Sequence, residues 1–274
     1  MIKDKVAVIM TVYKNDNVDY LRAALNSIVN QSLLEYKVFL GVDGPIPDTL
    51  LDLLKKFDVS NECFQLILFD DNKGLAVRLN QLIVLILNDG SFEFIARMDA
   101  DDICHLTRLE KQVDFLNSNL NVSVCGTACR EFGAAFAKSE KTLPVDHEKL
   151  LDFSITRCPF IHPTVMFRAQ VFIEGCFYPI DTKLTEDMAL WFELLKKGYR
   201  FGNLNEVLLD YRLNEDTIKR RKGLSKAMSE IKIRSSNMVT LKRVTIKNVF
   251  LISVRIIFHL MPVRLVKLAY KFAR

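Results

Sequence analysis

Three carboxylates lie within four positions of the chain, at Asp99, Asp101 and Asp102, directly after the apolar segment FEFIA. In an extended segment, residues 99 and 101 point to the same side. Two carboxylates held that close repel each other, and one stays protonated unless a cation lies between them. Mg²⁺ and Mn²⁺ prefer oxygen ligands and bind through one or two carboxylates together with substrate phosphates. The spacing predicts a metal–diphosphate site, with a solvated acidic loop or a helix cap made by Asp102 as the alternatives.

A second acidic pair, Glu186 and Asp187, comes just before an apolar segment that contains the only tryptophan, Trp191. The helix dipole stabilises carboxylates at the N-terminus of a helix, which is one explanation of the pair. The other explanation is chemical, because a carboxylate at this place can serve as the general base that deprotonates an acceptor hydroxyl. The residues alone leave both explanations open.

Two weaker signals accompany these acids. His162 precedes a predicted strand, where it is either a hydrogen-bonded structural residue or a contact to a metal ion or phosphate. Asn72 and Gly74 open a predicted helix after a strand. The unpaired N–H groups of a helix N-terminus bind anions, so this turn is a candidate phosphate contact.

The elements that must position these residues alternate between strand and helix over the first hundred positions. This order predicts βαβ units and a mainly parallel central sheet flanked by helices. Ligands of such sheets bind beyond the carboxyl ends of the strands, where Tyr13, Asp43, Asp70, Asp71, Asp99 and Asp101 lie. We expect strands over 6–12, 36–42, 64–69 and 92–98, with helices over 18–29, 49–57 and 75–87. Beyond Asp102 the pattern is mixed, with helices over 106–117 and 186–197 and strands over 122–125, 164–167 and 207–212.

Seven segments, taken in order, resemble the family-2 inverting glycosyltransferases of the GT-A fold, a Rossmann-like α/β architecture. The resemblance runs from Val6 to about Arg220 and is strongest to enterobacterial O-antigen transferases that extend an undecaprenyl-diphosphate-linked N-acetylhexosamine. The segments are VAVIMTVYKND, VDG, NKGLAVRLN, ARMDADD, HPTVMFR, TEDMALW and LDYRLNEDTI.

The resemblance implies a role for each matching position. Asp187 corresponds to the catalytic base, with Glu186 beside it, and Mn²⁺ or Mg²⁺ is expected on Asp101, Asp99 and His162. Uracil and ribose are expected on Thr11, Val12, Tyr13 and Asp43, and Asp99 contacts the ribose or the metal. The whole set expected to hold the donor is Thr11, Val12, Tyr13, Asp43, Asn72, Gly74, Arg78, Asp99, Ala100 and Asp101.

Two departures from family patterns bear on the reaction. The second acidic site of the family often reads Asp-Asp-Gly-Ser, whereas this chain has Val42 before Asp43, so one acid is missing. The Gln-x-x-Arg-Trp signature of processive synthases does not occur, which favours a single sugar transfer.

The resemblance therefore implies one inverting transfer of a hexose, galactose or glucose, from a UDP-sugar. The acceptor would be GlcNAc or GalNAc on diphosphate-undecaprenol, joined by a β1,3 linkage in O-antigen (lipopolysaccharide) biosynthesis. The first alternative is a sugar-phosphate nucleotidyltransferase, which should carry a Gly-rich basic loop where this chain reads TVYKNDN. The second is a non-catalytic polyanion-binding protein. The aromatic residues near the C-terminus lie among aliphatic ones, which argues against stacking on nucleic acid.

Charge is distributed unevenly along the 274 residues. Positions 219–274 hold 15 basic residues and one acidic residue, a net charge of +14, while the first 218 residues hold 23 basic and 32 acidic, a net charge of −9. We expect a GT-A catalytic domain over 1–218, with a nucleotide-binding half over 1–102 and an acceptor-binding half over 103–218. Residues 219–274 form a predicted basic amphipathic helical tail, which would lie on an anionic membrane or pack on the core.

Location is predicted from the same tail and from the cysteines. Six cysteines without a C-x-x-C pair indicate reduced thiols, and no apolar signal segment precedes the first strand. We expect a peripheral enzyme at the cytoplasmic face of the bacterial inner membrane. Its predicted partners are the UDP-sugar, the polyprenyl-linked acceptor and the anionic membrane surface, with no nucleic acid. The sequence leaves the oligomeric state open.

Overall fold

A computed structural model describes residues 5–182, 185–214 and 224–260. Within them, eight strands form a single sheet in the order β3-β2-β1-β4-β7-β6-β8-β5. The strands are β1 Val6–Val12, β2 Tyr36–Asp43, β3 Phe64–Phe69, β4 Phe94–Arg97, β5 Ile103–Cys104, β6 Val124–Phe132, β7 Met166–Arg168 and β8 Phe201–Arg212. The helices are α1 Val18–Ile28, α2 Asp48–Ser60, α3 Leu75–Asp89, α4 Arg108–Ser118, α5 His147–Thr156, α6 Gln170–Ile173, α7 Glu186–Lys196, α8 Leu224–Thr240 and α9 Ile246–Leu260, with a 3-10 turn at His162–Thr164.

The sheet is parallel in its first half and mixed in its second. Strands β3, β2, β1 and β4 run parallel, as the βαβ pattern predicts. Strand β7 is antiparallel to both β4 and β6, while β6 and β8 pair in parallel. The α/β class and the flanking helices are thus confirmed, and the parallel arrangement belongs chiefly to the first hundred residues.

Strand β1 lies at the centre because its side chains are apolar on both faces. Successive residues of a strand point to opposite sides, so VAVIMTV contributes to two cores. Val8 and Met10 face the core formed with α1, α2 and α4. Ala7 and Ile9 face the core that α3, α5 and α7 cover. The carboxyl ends of β1, β2 and β4 are thereby fixed side by side.

Strand β8 is longer than the six residues predicted for it. Its first half contains polar residues that interrupt the apolar pattern, and the register with β6 shifts on both sides of Ala128. Asn203 in this half is buried because its amide donates to the carbonyls of Pro144 at 2.8 Å and Pro159 at 3.1 Å. Local satisfaction of this kind does not show in hydrophobic periodicity, which explains the difference.

The described part of the C-terminal segment packs on the enzyme. Ala227 and Met238 of α8 are buried, and Met238 belongs to the larger core together with Ile252 of α9. Buried Arg234 donates to the carbonyls of Ser154 at 3.0 Å and Ile155 at 3.2 Å at the end of α5. Packing on the core, one of the two alternatives for the tail, therefore holds for one side of these helices.

The structure does not cover every part of the predicted tail. The predicted domain boundary at 218/219 and positions 261–274 of the predicted tail lie outside the described residues. In the three described ranges, each helix is too short or too polar to cross a membrane.

Candidate active site

The three predicted carboxylates come together where β4 ends. Oxygens of Asp99, Asp101 and Asp102 lie within 4.8 Å of one another. Asp102 is fully buried, whereas Asp99 and Asp101 are half-buried, so the cluster opens to solvent on one side. Oδ2 of Asp102 has no hydrogen-bond partner among the described residues. The arrangement offers several oxygen ligands to a small hard cation, as the spacing of the residues predicts.

Arg212, the last residue of β8, fixes the loop that carries these carboxylates. Its backbone N–H donates to Oδ1 of Asp102 at 2.7 Å, and its Nε donates to the carbonyl of Asp101 at 2.8 Å. The guanidinium lies between the rings of Tyr20 and Phe132, with centroids 3.9 and 4.3 Å away. Two cation–π contacts hold the side chain, so the loop is anchored to β8, which also pairs with β5 directly after the loop.

The cluster is electrostatically unfavourable on its own. Burial raises the pKa of Asp101 to about 6, and the charge of Asp99 adds to that rise. Burial, Asp99 and Asp101 together raise the pKa of Asp102 well above its ordinary value. The nearby guanidinium of Arg97, which forms an ion pair with Asp99, opposes both rises. A divalent cation would remove the repulsion, because it favours the ionised form of every carboxylate around it.

Asp43, at the end of β2, has its carboxylate fully engaged within the protein. Oδ1 accepts from the backbone N–H of Lys73 at 2.8 Å and from Nε of Arg78 at 2.6 Å, and Oδ2 accepts from Gly74 N–H at 2.9 Å. Asn72 donates its amide to the Asp43 carbonyl at 3.0 Å. The helix terminus predicted to bind phosphate therefore holds the protein's own carboxylate, and whether the donor also contacts Asp43, Asn72, Gly74 and Arg78 stays a prediction.

The tight turns around Asp43 require glycine at one position in particular. Gly44 has a φ of +80°, and a Cβ there would lie 2.8 Å from the backbone nitrogen of Asn72. Any side chain would push the two loops apart and break the bonds that Asp43 makes. The VDG and NKG motifs are thus two halves of one folded unit.

Thr11, Val12 and Tyr13, predicted to hold the base and ribose, lie at the carboxyl end of β1, the strand between β2 and β4. Val12 pairs in register with Val42, and β1 is also bonded to β4. Thr11 is half-buried, and Tyr13 is exposed at the surface. Ala100, which lies between Asp99 and Asp101 in the sequence, is buried. The topology brings the predicted donor-binding residues to one edge of the sheet, although their contact with a nucleotide stays a prediction.

The second acidic pair occupies the first turn of α7, which begins at Glu186. The buried side of this helix carries Trp191, which packs in the larger core and fixes the helix. Buried Tyr178 links the pair to the cluster: burial raises its pKa, and the charges of Asp187, Glu186 and Asp99 add to the rise. The phenol of Tyr178 therefore senses the charges of all three carboxylates.

His162 lies in the protein interior, outside the carboxylate cluster. Its Nε2 is 2.9 Å from the hydroxyl of Tyr178, and its ring packs edge-on against Trp191. Burial, with a smaller contribution from the charge of Arg97, lowers its pKa well below the ordinary value, so the ring stays neutral. These contacts favour the structural explanation of His162 over a metal contact.

Several residues of this site are not predicted from the sequence. Arg97 and Arg212 contact the cluster directly. Asn80 holds the backbone of Tyr178: its amide donates to the Tyr178 carbonyl at 2.8 Å, and its Oδ1 accepts from the Tyr178 N–H at 2.9 Å. One signal for Arg97 exists in the sequence, because a charged residue there ends an otherwise apolar strand.

Known proteins resemble this chain in sequence and in fold. Residues 7–175 match the family described as Glycosyl transferase family 2. The amylovoran biosynthesis glycosyltransferase AmsE of Erwinia amylovora is 26% identical over 97% of this chain and 97% of its own. The UDP-Gal:alpha-D-GlcNAc-diphosphoundecaprenol beta-1,3-galactosyltransferase of Escherichia coli is 31% identical over 83% of this chain and 81% of its own.

A solved structure supports the same assignment at the level of the fold. The mannosyltransferase PcManGT of Pyrobaculum calidifontis, in complex with GDP-Man and Mn²⁺, superposes with a TM-score of 0.60 at 14% identity. The match covers 98% of this chain and 85% of that one. With the family match over more than half of its length, the chain belongs to glycosyl transferase family 2 and is a glycosyltransferase with the GT-A fold.

Proposed function

We propose that the enzyme transfers one hexose, galactose or glucose, from a UDP-sugar to a lipid-linked N-acetylhexosamine diphosphate, with inversion at the anomeric carbon. The carboxylate cluster Asp99, Asp101 and Asp102 is the observation that carries this proposal. The similarity to the Escherichia coli β-1,3-galactosyltransferase supports the UDP-sugar, the acceptor and a β1,3 linkage. The similarity to the amylovoran biosynthesis glycosyltransferase supports a role in polysaccharide synthesis, and O-antigen synthesis is the form of it proposed here.

Mn²⁺ or Mg²⁺ fits the cluster. Three half-buried or buried carboxylates provide hard oxygen ligands, and the buried Oδ2 of Asp102 has no partner among the described residues. In the proposal, Asp101 and Asp99 are the ligands, and Asp102 supports them from behind. The bound ion would neutralise the charge that develops on the leaving diphosphate.

Asp187 is the proposed general base. Its place in the first turn of α7 gives it a fixed backbone, and the charges of both Asp187 and Asp99 raise the pKa of Tyr178, which supports a position near the cluster. It would take the proton of the acceptor hydroxyl while that oxygen attacks the anomeric carbon from the side opposite the diphosphate. An α-linked donor then gives a β-linkage, and the enzyme needs no nucleophile of its own.

The donor would lie across the ends of β1, β2 and β4. Thr11, Val12 and Tyr13 would line the uridine, with Asp43 shaping the pocket through the loop that it holds. Asp99 and Ala100 would border the ribose and diphosphate. The order β2-β1-β4 supports this placement, because it brings the three strand ends together.

A panel of UDP-sugars with a GlcNAc-diphosphate-lipid acceptor tests the proposal. One sugar should transfer once, and NMR of the product should show an inverted linkage. Asp187→Asn, nearly isosteric, should lose about 10²–10⁴-fold in kcat, as expected for a positioned general base. Glu193→Gln, on the exposed far end of the same helix, is the matched control and should keep wild-type rates. Retention of more than about a tenth of kcat by Asp187→Asn would remove this residue from the mechanism.

The proposed location is the surface of an anionic membrane. Ile246, Val249 and Phe250 of α9 form an exposed apolar stripe, with Ile246 92% and Phe250 64% accessible. Residues three and four apart share one face of a helix. Lys242 precedes the stripe in the chain and Lys247 lies between its members, so apolar and basic groups occur together, as in helices that lie in a membrane interface.

Sedimentation with anionic vesicles tests this location. The double variant Ile246→Ser with Phe250→Ser should bind at least about tenfold more weakly, because a buried side chain of this size contributes about 1.5–3 kcal/mol. Leu34→Ser, which removes an equally exposed leucine from the loop between α1 and β2, is the control and should bind as the wild type does. A wild-type protein that stays in the supernatant at low salt would refute the membrane proposal.

A further inference from the structure

We propose that Arg97 is a positioning residue that sets the carboxylate cluster in its metal-binding arrangement before the ion arrives. The inference rests on the metal site proposed above and adds to it a residue that would touch neither the ion nor the substrate. The Arg97 side chain is buried, and two of its three guanidinium nitrogens have no hydrogen-bond partner among the described residues.

The position of Arg97 is fixed from several sides. It ends β4, where its backbone N–H donates to the carbonyl of Val165 at 2.9 Å. Its own carbonyl accepts from Nη2 of Arg108 at 2.8 Å. The side chain is only 3% exposed, and its Nη2 forms the ion pair with Asp99. The guanidinium therefore cannot follow Asp99 outward, and Asp99 is held to the guanidinium instead.

The bonding of this guanidinium differs from that of buried Arg78 and Arg108. Nε and Nη1 of Arg97 are buried and have no hydrogen-bond partner among the described residues. Arg78, equally buried, bonds through Nε, Nη1 and Nη2. Arg108 bonds through Nε and Nη2. A buried guanidinium with so few bonds is costly, so a purely structural role gives a poor account of it.

The compensation for Arg97 comes from the charge of the cluster. Asp99, Asp101 and Asp102 bring up to three negative charges within reach of one fixed positive charge. The ion pair engages Oδ1 of Asp99 and so fixes the direction of the second oxygen. Residues that orient metal ligands through hydrogen bonds typically change metal affinity by about 10–100-fold when they are replaced. Arg97 has the geometry of such a residue.

Direct titration with Mn²⁺, followed by EPR of the free ion without any donor, tests the role. Arg97→Gln should bind Mn²⁺ about 10–100-fold more weakly than the wild type. Arg97→Lys keeps the charge but loses the planar fork, so its binding should be at least about threefold weaker. Arg234→Gln removes a guanidinium that is just as buried but lies at the end of α5, and its Mn²⁺ affinity should equal that of the wild type.

The outcomes separate this inference from the proposal on which it rests. A wild-type enzyme that does not bind Mn²⁺ or Mg²⁺ would refute the metal site itself. A wild type that binds, together with a folded Arg97→Gln that binds equally well, would overturn the role of Arg97 alone. If circular dichroism shows that Arg97→Gln is unfolded, Arg97→Lys decides, and wild-type affinity in that variant would overturn the inference.

Discussion

Two acidic sites at the same edge of the sheet are built in opposite ways. Asp43, at the end of β2, accepts three hydrogen bonds from Lys73, Gly74 and Arg78 and is nearly fully buried. The cluster at the end of β4 has three carboxylates, one ion pair to Arg97 and a buried oxygen on Asp102 without a partner among the described residues. Only strand β1 separates them.

The difference separates a carboxylate that organises the fold from carboxylates that we propose to bind a ligand. Asp43 stabilises the enzyme, because every bond that it makes holds two loops together. The cluster destabilises it, because burial and mutual repulsion raise the pKa values of Asp101 and Asp102. Functional sites commonly retain such unfavourable groups, and removing one tends to increase stability while reducing activity.

The largest expected effect is the loss of activity in Asp101→Asn. A bound metal ion contributes several kcal/mol to the stabilisation of a charged transition state, so kcat should fall by at least about 100-fold. The melting temperature of the metal-free variant should equal or exceed that of the wild type. Kinetics with saturating Mn²⁺ and a thermal melt in chelator measure the two quantities. Near wild-type kcat, or full wild-type activity in excess EDTA, would contradict the assignment of the cluster.

Asp43→Asn should show the reverse pattern, with stability reduced first. Removing one partner of a buried ion pair costs about 3–5 kcal/mol, and the lower end applies because Asp71 still pairs with Arg78. The free energy of unfolding in urea measures the loss. Asp71→Asn removes an exposed carboxylate from the same guanidinium and should cost much less. Equal losses in the two variants would show that Asp43 does not organise the fold as described.

The smallest effect is the pH dependence of the metal-free enzyme. The pKa of Asp101 is about 6 in the folded protein and 3.8 ordinarily, so between these values the folded state binds the extra proton. Stability should therefore fall as pH rises from about 4 to about 6, with a slope of up to about 1.4 kcal/mol per pH unit for each such group.

Thermal melts in chelator measure this slope. Asp101→Asn should make it shallower, and Mn²⁺ should reverse it, since the ion binds the ionised carboxylates. A wild-type slope in Asp101→Asn would mean that other groups produce the pH dependence.

The sequence contains the parts of this comparison that depend on local pattern. The alternation of strands and helices gives β1 to β4, and the spacing of Asp99 and Asp101 gives the cluster, because both follow from residue periodicity. It does not give the clamp of Arg212 between Tyr20 and Phe132, whose members are brought together only by the folded sheet. The two unpaired nitrogens of Arg97 are likewise a tertiary property.

Tertiary contacts also explain why the second half of the molecule is harder to predict from its sequence. The polar first half of β8 is a strand because β6 and the amide of Asn203 satisfy it, not because its own residues alternate. The tail has amphipathic spacing that suits a membrane or a core equally well. Packing on the core is recognised only in the folded structure, where Ala227 and Arg234 are buried and Arg234 bonds to the end of α5.

The paired hydrogen bonds between Asn80 and Tyr178 have a consequence for folding. They join α3, within the first hundred residues, to a segment 98 positions later, and β7 likewise pairs with the edge of β4. Contacts so distant in sequence form late, because closing a long loop costs entropy before the contacts compensate for it. The two halves should therefore fold as one cooperative unit, and a chain truncated after residue 102 should fail to reach a native state on the ribosome or in solution.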